Sequence, residues 1–151
     1  MKNLIITIGS LILMTTIIYF QIDCNEMIRY KQQLKFAADE AAATASVCID
    51  MDSFGEGLHV YDDATAVVKA KEIIELNLAS KAVTFDISFV DDSHVLRQYS
   101  HKGELLNQEP KEGVRPSVTV KINGGKPVFR LAFLNPQMDL IEKSNYEYVG
   151  Y

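Results

Sequence analysis

The residues of this chain best suited to chemistry are three histidines, two cysteines and an acidic stretch with two glycines between Asp50 and Asp63. The run Asp50-Met51-Asp52-Ser53-Phe54-Gly55 begins like a calcium-binding EF-hand loop, where oxygen ligands recur at alternate positions. Its fifth position is Phe54 and its twelfth is Tyr61, where such a loop requires an oxygen donor and a bidentate Glu. A looser oxygen cage would draw on Asp50, Asp52, Glu56 and Asp62, in competition with the ordinary reading of an acidic loop as solvated surface. His59, His94 and His101 stand in no metal-ligand spacing with Cys24 or Cys48. Asp91-Asp92-Ser93-His94 reads as a turn, not as part of a nucleophilic triad. Gly124-Gly125-Lys126 lacks the earlier Gly and the following Ser or Thr of a phosphate-binding loop. No catalytic residue, resident metal or cofactor is assigned, and the chain reads as a non-enzyme.

The elements that position these residues begin with Asn3 to Ile22, which contains no charged side chain. At about 1.5 Å per residue, this run is long enough to cross the roughly 30 Å hydrocarbon layer once as a helix. Thr7, Thr15 and Thr16 can return their hydroxyl hydrogens to the helix backbone, and Tyr19 with Phe20 falls at the level of an interfacial aromatic belt. The exit Tyr19-Phe20-Gln21-Ile22-Asp23-Cys24 offers no small-residue cleavage pattern and no lipoprotein motif, so a retained single-pass anchor in the cell membrane is expected. The nearby cations Arg29, Lys31 and Lys35 oppose export, whereas the short amino terminus and the early acids Asp23 and Glu26 favour it. The expectation is a carboxy-terminal domain outside the cytoplasm.

Neither Gly nor Pro interrupts Asp23 to Asp50. Met27, Tyr30, Leu34, Ala37, Ala41, Ala45 and Cys48 recur at helical steps as one apolar stripe continuous with the anchor. The predicted organisation is an anchor over 1–22, a continuation of the same helix over 23–50, and an α+β domain over 51–151. Leu34, Ala37, Ala41 and Ala45 are the expected helix-packing positions, because small side chains allow close approach of a neighbour. The stripe serves equally for docking on the chain's own sheet and for packing against another molecule. Cys24 and Cys48 would lie about 36 Å apart on an unbroken helix, beyond the reach of a disulfide. Cys48 is then a buried core residue, and Cys24 a boundary thiol open to acylation or to pairing with another copy in a homo-oligomer.

Asp50 to Asp63 reads as a connecting loop, with Asp62 or Asp63 capping a second helix that runs through Lys81. Val67, Ala70, Ile74 and Leu78 form its inner face. From Val83 the apolar period changes to two, with Phe85, Ile87 and Phe89 inward, and Val95 to His101 is a weaker partner strand. Gly103 to Gly113 reads as a polar loop. Val118, Val120 and Ile122, then Asn123-Gly124-Gly125, then Val128 to Leu134 with Pro127 at its start, give a hairpin signal. Asn145 to Tyr151 is expected as a short edge strand. The resulting fold class is α+β and pilin-like: a long amino-terminal helix, a second helix and a small antiparallel sheet with both helices on one face.

The chain has 151 residues, 48% of them hydrophobic, and a formal net charge of -5 that becomes -6 beyond the anchor. Such a charge lacks the basic field that binds a phosphate backbone, which excludes nucleic acid as a partner, and it disfavours docking on anionic lipid. Protein neighbours and the lipid bilayer of the anchor remain.

The order of these features resembles the TadE/TadG-like proteins of tight-adherence, Flp-type pilus systems. Their helix after the membrane commonly carries a pattern such as Q-x-x-x-D-A-A-A-L-A-A-A, and Gln33-Leu34-Lys35-Phe36-Ala37-Ala38-Asp39-Glu40-Ala41-Ala42-Ala43-Thr44-Ala45 is similar. Ala64, Ala66, Ala70 and Asn77 look like the family's second helix, and Val118-Thr119-Val120 with Pro127-Val128-Phe129 looks like its terminal strands. The resemblance implies a bacterial subunit that works by assembly beside other pilin-like or secretion-apparatus membrane proteins. One departure shapes this expectation: a prepilin-peptidase substrate has a Glu five residues after its cleavage Gly, and here Met14 follows Gly9 at that distance. The resemblance therefore implies a retained accessory or minor subunit. The alternative is a membrane-tethered binding module for a ligand or wall polymer, using Tyr146, Tyr148 and Tyr151.

Overall fold

The computed structural model describes residues 2–78, 83–130 and 136–148. Helix α1 spans Lys2–Ser46 without interruption, and its first half exposes Leu4, Ile5, Leu11, Leu13 and Met14. The Thr7, Thr15 and Thr16 hydroxyls donate to the carbonyls of Asn3, Leu11 and Ile12 at 2.8–2.9 Å. These side chains thereby enter an apolar surface without leaving a hydroxyl unsatisfied. The helix is long and apolar enough to cross a membrane once, and the α+β domain lies beyond that segment.

The chain leaves the helix after Ser46, four residues before the expected end at Asp50, because other backbone partners capture it. Ile49 bridges Tyr61, the Asp50 N–H donates to the Val60 carbonyl at 2.9 Å, and the Asp62 N–H donates to the Cys48 carbonyl at 3.0 Å. Between them lies a short helix, α2 (Met51–Gly55), inside the stretch expected to be loop throughout. Helix α3 spans Asp63–Asn77 with Asp62 as its cap. The remainder of the expected helix, 79–81, lies outside the described residues.

Five antiparallel strands follow: β1 (Thr84–Val90), β2 (Val95–Ser100), β3 (Leu105–Pro110), β4 (Ser117–Asn123) and β5 (Ile141–Glu147), in spatial order β3-β2-β1-β4-β5. Strand β3 replaces the expected polar loop at 103–113. It is an outer strand exposed on both faces, so no apolar alternation marks it in sequence. The expected hairpin partner for β4 is also corrected. Val128, Phe129 and Arg130 are not in a strand and 131–134 lie outside the described residues, whereas β5 pairs with the whole of β4, from Ser117 with Glu147 to Asn123 with Ile141. The tail strand thus begins four residues earlier than expected, at Ile141, and its expected end at 149–151 lies outside the described residues.

Alternation on β1 and β4 turns Phe85, Ile87, Phe89, Val118, Val120 and Ile122 to one face. These side chains form a single buried cluster with Leu34, Ala37, Ala41 and Ala45 of α1 and with Ala66, Ala70 and Ile74 of α3. Helix α1 lies across β4 and β5, and α3 packs beside α1. Alanines on both helices permit that close approach, since a larger side chain at the crossing would hold the axes apart. Ala41 is fully buried. Replacing Ala41 with Leu is therefore expected to destabilise the domain by about 1–3 kcal/mol through overpacking, measured by denaturant titration of the full chain in detergent; an unchanged midpoint would place Ala41 outside the seam.

Candidate functional site

The connection between β4 and β5 departs from a tight turn and climbs along α1. Its root is closed by the Gly124 N–H donating to the Leu140 carbonyl and the Leu140 N–H donating to the Gly125 carbonyl, both at 2.8 Å. Gly125 takes a φ of 71°, which allows the chain to turn out of the strand. At Gly124 the loop meets α1: the Tyr30 hydroxyl donates to the Gly124 carbonyl at 3.0 Å. A Cβ there would stand 2.5 Å from Leu34 Cδ1 and 2.8 Å from the Tyr30 hydroxyl, so any larger residue would have to displace both side chains.

Further up the helix, Asp23 is almost wholly buried and receives both the backbone N–H of Arg130 at 2.8 Å and its guanidinium at 3.0 Å. The same guanidinium donates to Glu26 at 2.8 Å. Phe129 closes the junction with its ring edge-on to Phe20 at 6.3 Å. Loop and helix together enclose a cleft of about 390 Å³, lined by residues that include Asp23, Glu26, Tyr30, Lys126 and Phe129. Chemically the junction is a clamp. Its carboxylates are engaged in holding a loop, and its apolar and aromatic members face the end of the uncharged helix.

A second polar clamp fixes α3 to the sheet. Asp63, in the first turn of α3, accepts from Arg97 Nε at 2.5 Å, from Arg97 Nη2 at 3.0 Å and from the Tyr99 hydroxyl at 2.8 Å. The other side of the Arg97 guanidinium lies 2.7 Å from the fully buried Asp91. Burial pulls the Arg97 pKa down, but the hydrogen bonds and charges of the two carboxylates outweigh it and hold the guanidinium firmly protonated. Burial, with Asp63 adding to it, pushes the Tyr99 hydroxyl up to about 12. Asp91 also accepts the Ser93 N–H at 3.0 Å and the Ser93 hydroxyl, which makes 91–94 the expected turn. His59 lies beside this cluster. Its backbone N–H donates to Asp92 at 2.7 Å, and its ring meets Tyr61 and Tyr148 at 4.8 and 4.1 Å. Burial lowers the His59 pKa despite the opposing carboxylates of Asp92 and Asp91.

The structure separates the residues singled out in the sequence. Leu34, Ala37, Ala41 and Ala45 are fully buried in the chain's own core, which leaves other faces of α1 for neighbours. Cys24 is half-buried at the boundary and Cys48 is buried; neither forms a disulfide. Asp50 accepts from the Ser53 N–H and hydroxyl to cap α2, and Asp62 does the same with Thr65 to cap α3, so both carboxylates serve helix ends. Asp52 and Glu56 face solvent. Among the described residues, no group of three or more His, Cys, Asp or Glu is arranged to hold a metal ion. His94 sits exposed at a φ of 57°, and the His101 ring lies 6.3 Å from that of Phe85. Tyr146 and Tyr148 are exposed, though Tyr148 rests on His59, and Tyr151 lies outside the described residues.

Sequence reasoning missed both clamps. Asp91 carried a signal, since the alternation of Phe85, Ile87 and Phe89 continues inward to it and demands a buried partner. Arg97 pairs with Phe89 across the strands and shares its face. The Asp23–Arg130 pair joins positions 107 residues apart, with no local pattern to announce it. The chain matches no family model, no curated protein and no solved structure.

Two outcomes follow from these clamps. Asp23→Asn leaves the guanidinium and the Arg130 N–H with a neutral partner, and the weaker docking should open the loop about tenfold more often. Tryptic cleavage after Arg130 in the folded protein is expected to accelerate by that factor, and equal cleavage rates would show that Asp23 does not hold the loop. The low pKa of His59 means that the unfolded chain binds its proton more readily, so His59 contributes full stability above about pH 6.5 and loses it progressively as pH falls below that value toward its lowered folded pKa. The melting temperature should therefore drop as pH is lowered below about 6.5, and His59→Phe should flatten that drop; identical slopes would assign the acid sensitivity elsewhere.

Proposed function

We propose that this chain is a single-pass, membrane-anchored, pilin-like accessory or minor subunit of a tight-adherence or related secretion apparatus, acting by assembly and anchoring without catalysis. The observation that carries this reading is the continuity of α1. One helix of 45 residues is both the exposed apolar segment and the spine of the domain core. A binding module that needed only tethering would be served by a flexible linker, whereas an unbroken helix transmits position and force between membrane and domain. The resemblance of Gln33 to Ala45 to the TadE/TadG-like helix supports the same assignment, with the domain outside the cytoplasm.

Assembly requires a surface that the chain itself does not cover. On α1, beyond the uncharged run, Ile28 and Phe36 are about half exposed and line an open groove of about 500 Å³ together with Lys31, Lys35 and Glu142. This face is directed away from the Ala37–Ala41–Ala45 seam and is available to a neighbouring helix. A membrane-impermeant bismaleimide added to intact cells is expected to couple Cys24 to a second copy or to a partner subunit. Phe36→Asp should reduce the coupled species by about tenfold, the loss of about 1.4 kcal/mol of association, at an unchanged melting temperature. Coupling that needs cell lysis would reverse the orientation, and coupling indifferent to Phe36→Asp would reject this face as the site of assembly.

A further inference from the structure

We infer that the β4–β5 loop is a second membrane contact: its arm at Val128 and Phe129 enters the interface of the same bilayer that α1 crosses, and the domain is held at the membrane by two elements instead of one. This rests on the reading of α1 as a membrane anchor.

The geometry of the climb carries the argument. The loop meets α1 at Tyr30 through Gly124, at Asp23 and Glu26 through Arg130, and at Phe20 through Phe129. From Tyr30 to Phe20 is ten helical residues, about 15 Å along the axis toward the apolar end. Phe20 lies inside the uncharged run that ends at Ile22. A helix that places Asn3 to Ile22 in lipid therefore places Phe129 at the boundary of acyl chains and headgroups, the depth at which aromatic side chains of membrane proteins concentrate.

The chemistry of the loop fits that depth. Val128, next to Phe129, is 84% exposed, more than any other large apolar side chain among the described residues. Arg130 reaches this level with its cation paired to Asp23 and Glu26. Its backbone N–H is satisfied by Asp23, which a non-helical segment needs where water is scarce. An exposed Val two residues from a neutralised cation is unfavourable in water and favourable about 5–10 Å into an interface. The occupant is lipid acyl chain, and not anionic headgroup, because the clamp cancels the positive charge of Arg130.

The protein contains no tryptophan, so single substitutions report depth without background. Val128→Trp replaces an exposed side chain and leaves the core untouched. Full-length variants are placed in phosphatidylcholine vesicles whose lipids are brominated near the top of the acyl chain. Emission from the Val128→Trp variant should be blue-shifted and reduced about twofold or more relative to unbrominated vesicles. Val47→Trp, 27 residues below Phe20 and about 40 Å away along the axis, should emit as in water and be quenched by iodide. Ile12→Trp, about 15 Å deeper than Ile22 along the helix, serves as the control for the anchor in vesicles brominated deep in the acyl chain. Strong bromine quenching at Ile12→Trp with none at Val128→Trp overturns the second contact and leaves the anchor standing. No quenching at Ile12→Trp removes the membrane reading and this inference together. Blue emission at Val128→Trp without bromine quenching would mean that protein, for example a second copy, covers the loop, and would also overturn the proposal.

Discussion

The structure depends on the seam where α1 meets α3 and the sheet. Ala37, Ala38, Ala41, Ala42 and Ala45 present almost no side chain beyond the helix backbone, and all are fully buried. Because they are small, α3 can lie alongside and the Phe85, Ile87 and Phe89 row of β1 can approach from below. The same helix supplies the exposed apolar segment, so the core of the domain and that segment are one covalent rod. A loss of packing in the seam would release the domain from the rod as well as unfold it. Stability and placement are therefore a single property here.

Two polar clamps then set orientations that apolar packing leaves free. Hydrophobic contact is non-directional, whereas a guanidinium held between two carboxylates fixes both distance and angle. Arg97, between Asp63 and Asp91, sets where the first turn of α3 sits over β2. Arg130, between Asp23 and Glu26, sets where the β4–β5 loop sits on α1. The first is mostly buried and closes the end of the domain far from the apolar segment. The second has a half-exposed cation and lies at the residues where the uncharged run stops. Along β5, Lys35 adds a bond to the Lys143 carbonyl at 3.0 Å and Lys31 pairs with Glu142 at 3.5 Å, which ties an otherwise open strand edge to the helix.

The β4–β5 connection shows how a misleading local signal arises. Asn123-Gly124-Gly125 has the residues of a tight turn, and the chain does turn there, with Asn123 Oδ1 accepting the Gly125 N–H at 2.8 Å. The apolar residues that follow look like a returning strand because Val, Phe and Leu suit strands. Phe129 and Arg130 are drawn off by a different demand, contact with α1 at Phe20 and Asp23, and the returning strand is supplied later by Ile141–Glu147. That strand reads weakly because its exposed face carries Lys143 and Asn145, and among its residues only Ser144 is buried.

Local regularities determined much of this protein. The uncharged run from Asn3 to Ile22, the three-and-four spacing through Cys48, the cap at Asp62 and the period of two from Phe85 each express a rule that acts within a few residues, and each is visible without neighbours. The α+β class follows from their order. Only the tertiary structure decided which face of α1 is used up by its own core, that β3 exists on an outer edge with no apolar pattern, and that β5 is the strand paired with β4. It alone brought Asp23 to Arg130 and Asp63 to Arg97. These pairings join residues far apart in the chain, and their free energy comes from desolvation and geometry that exist only after the core has closed.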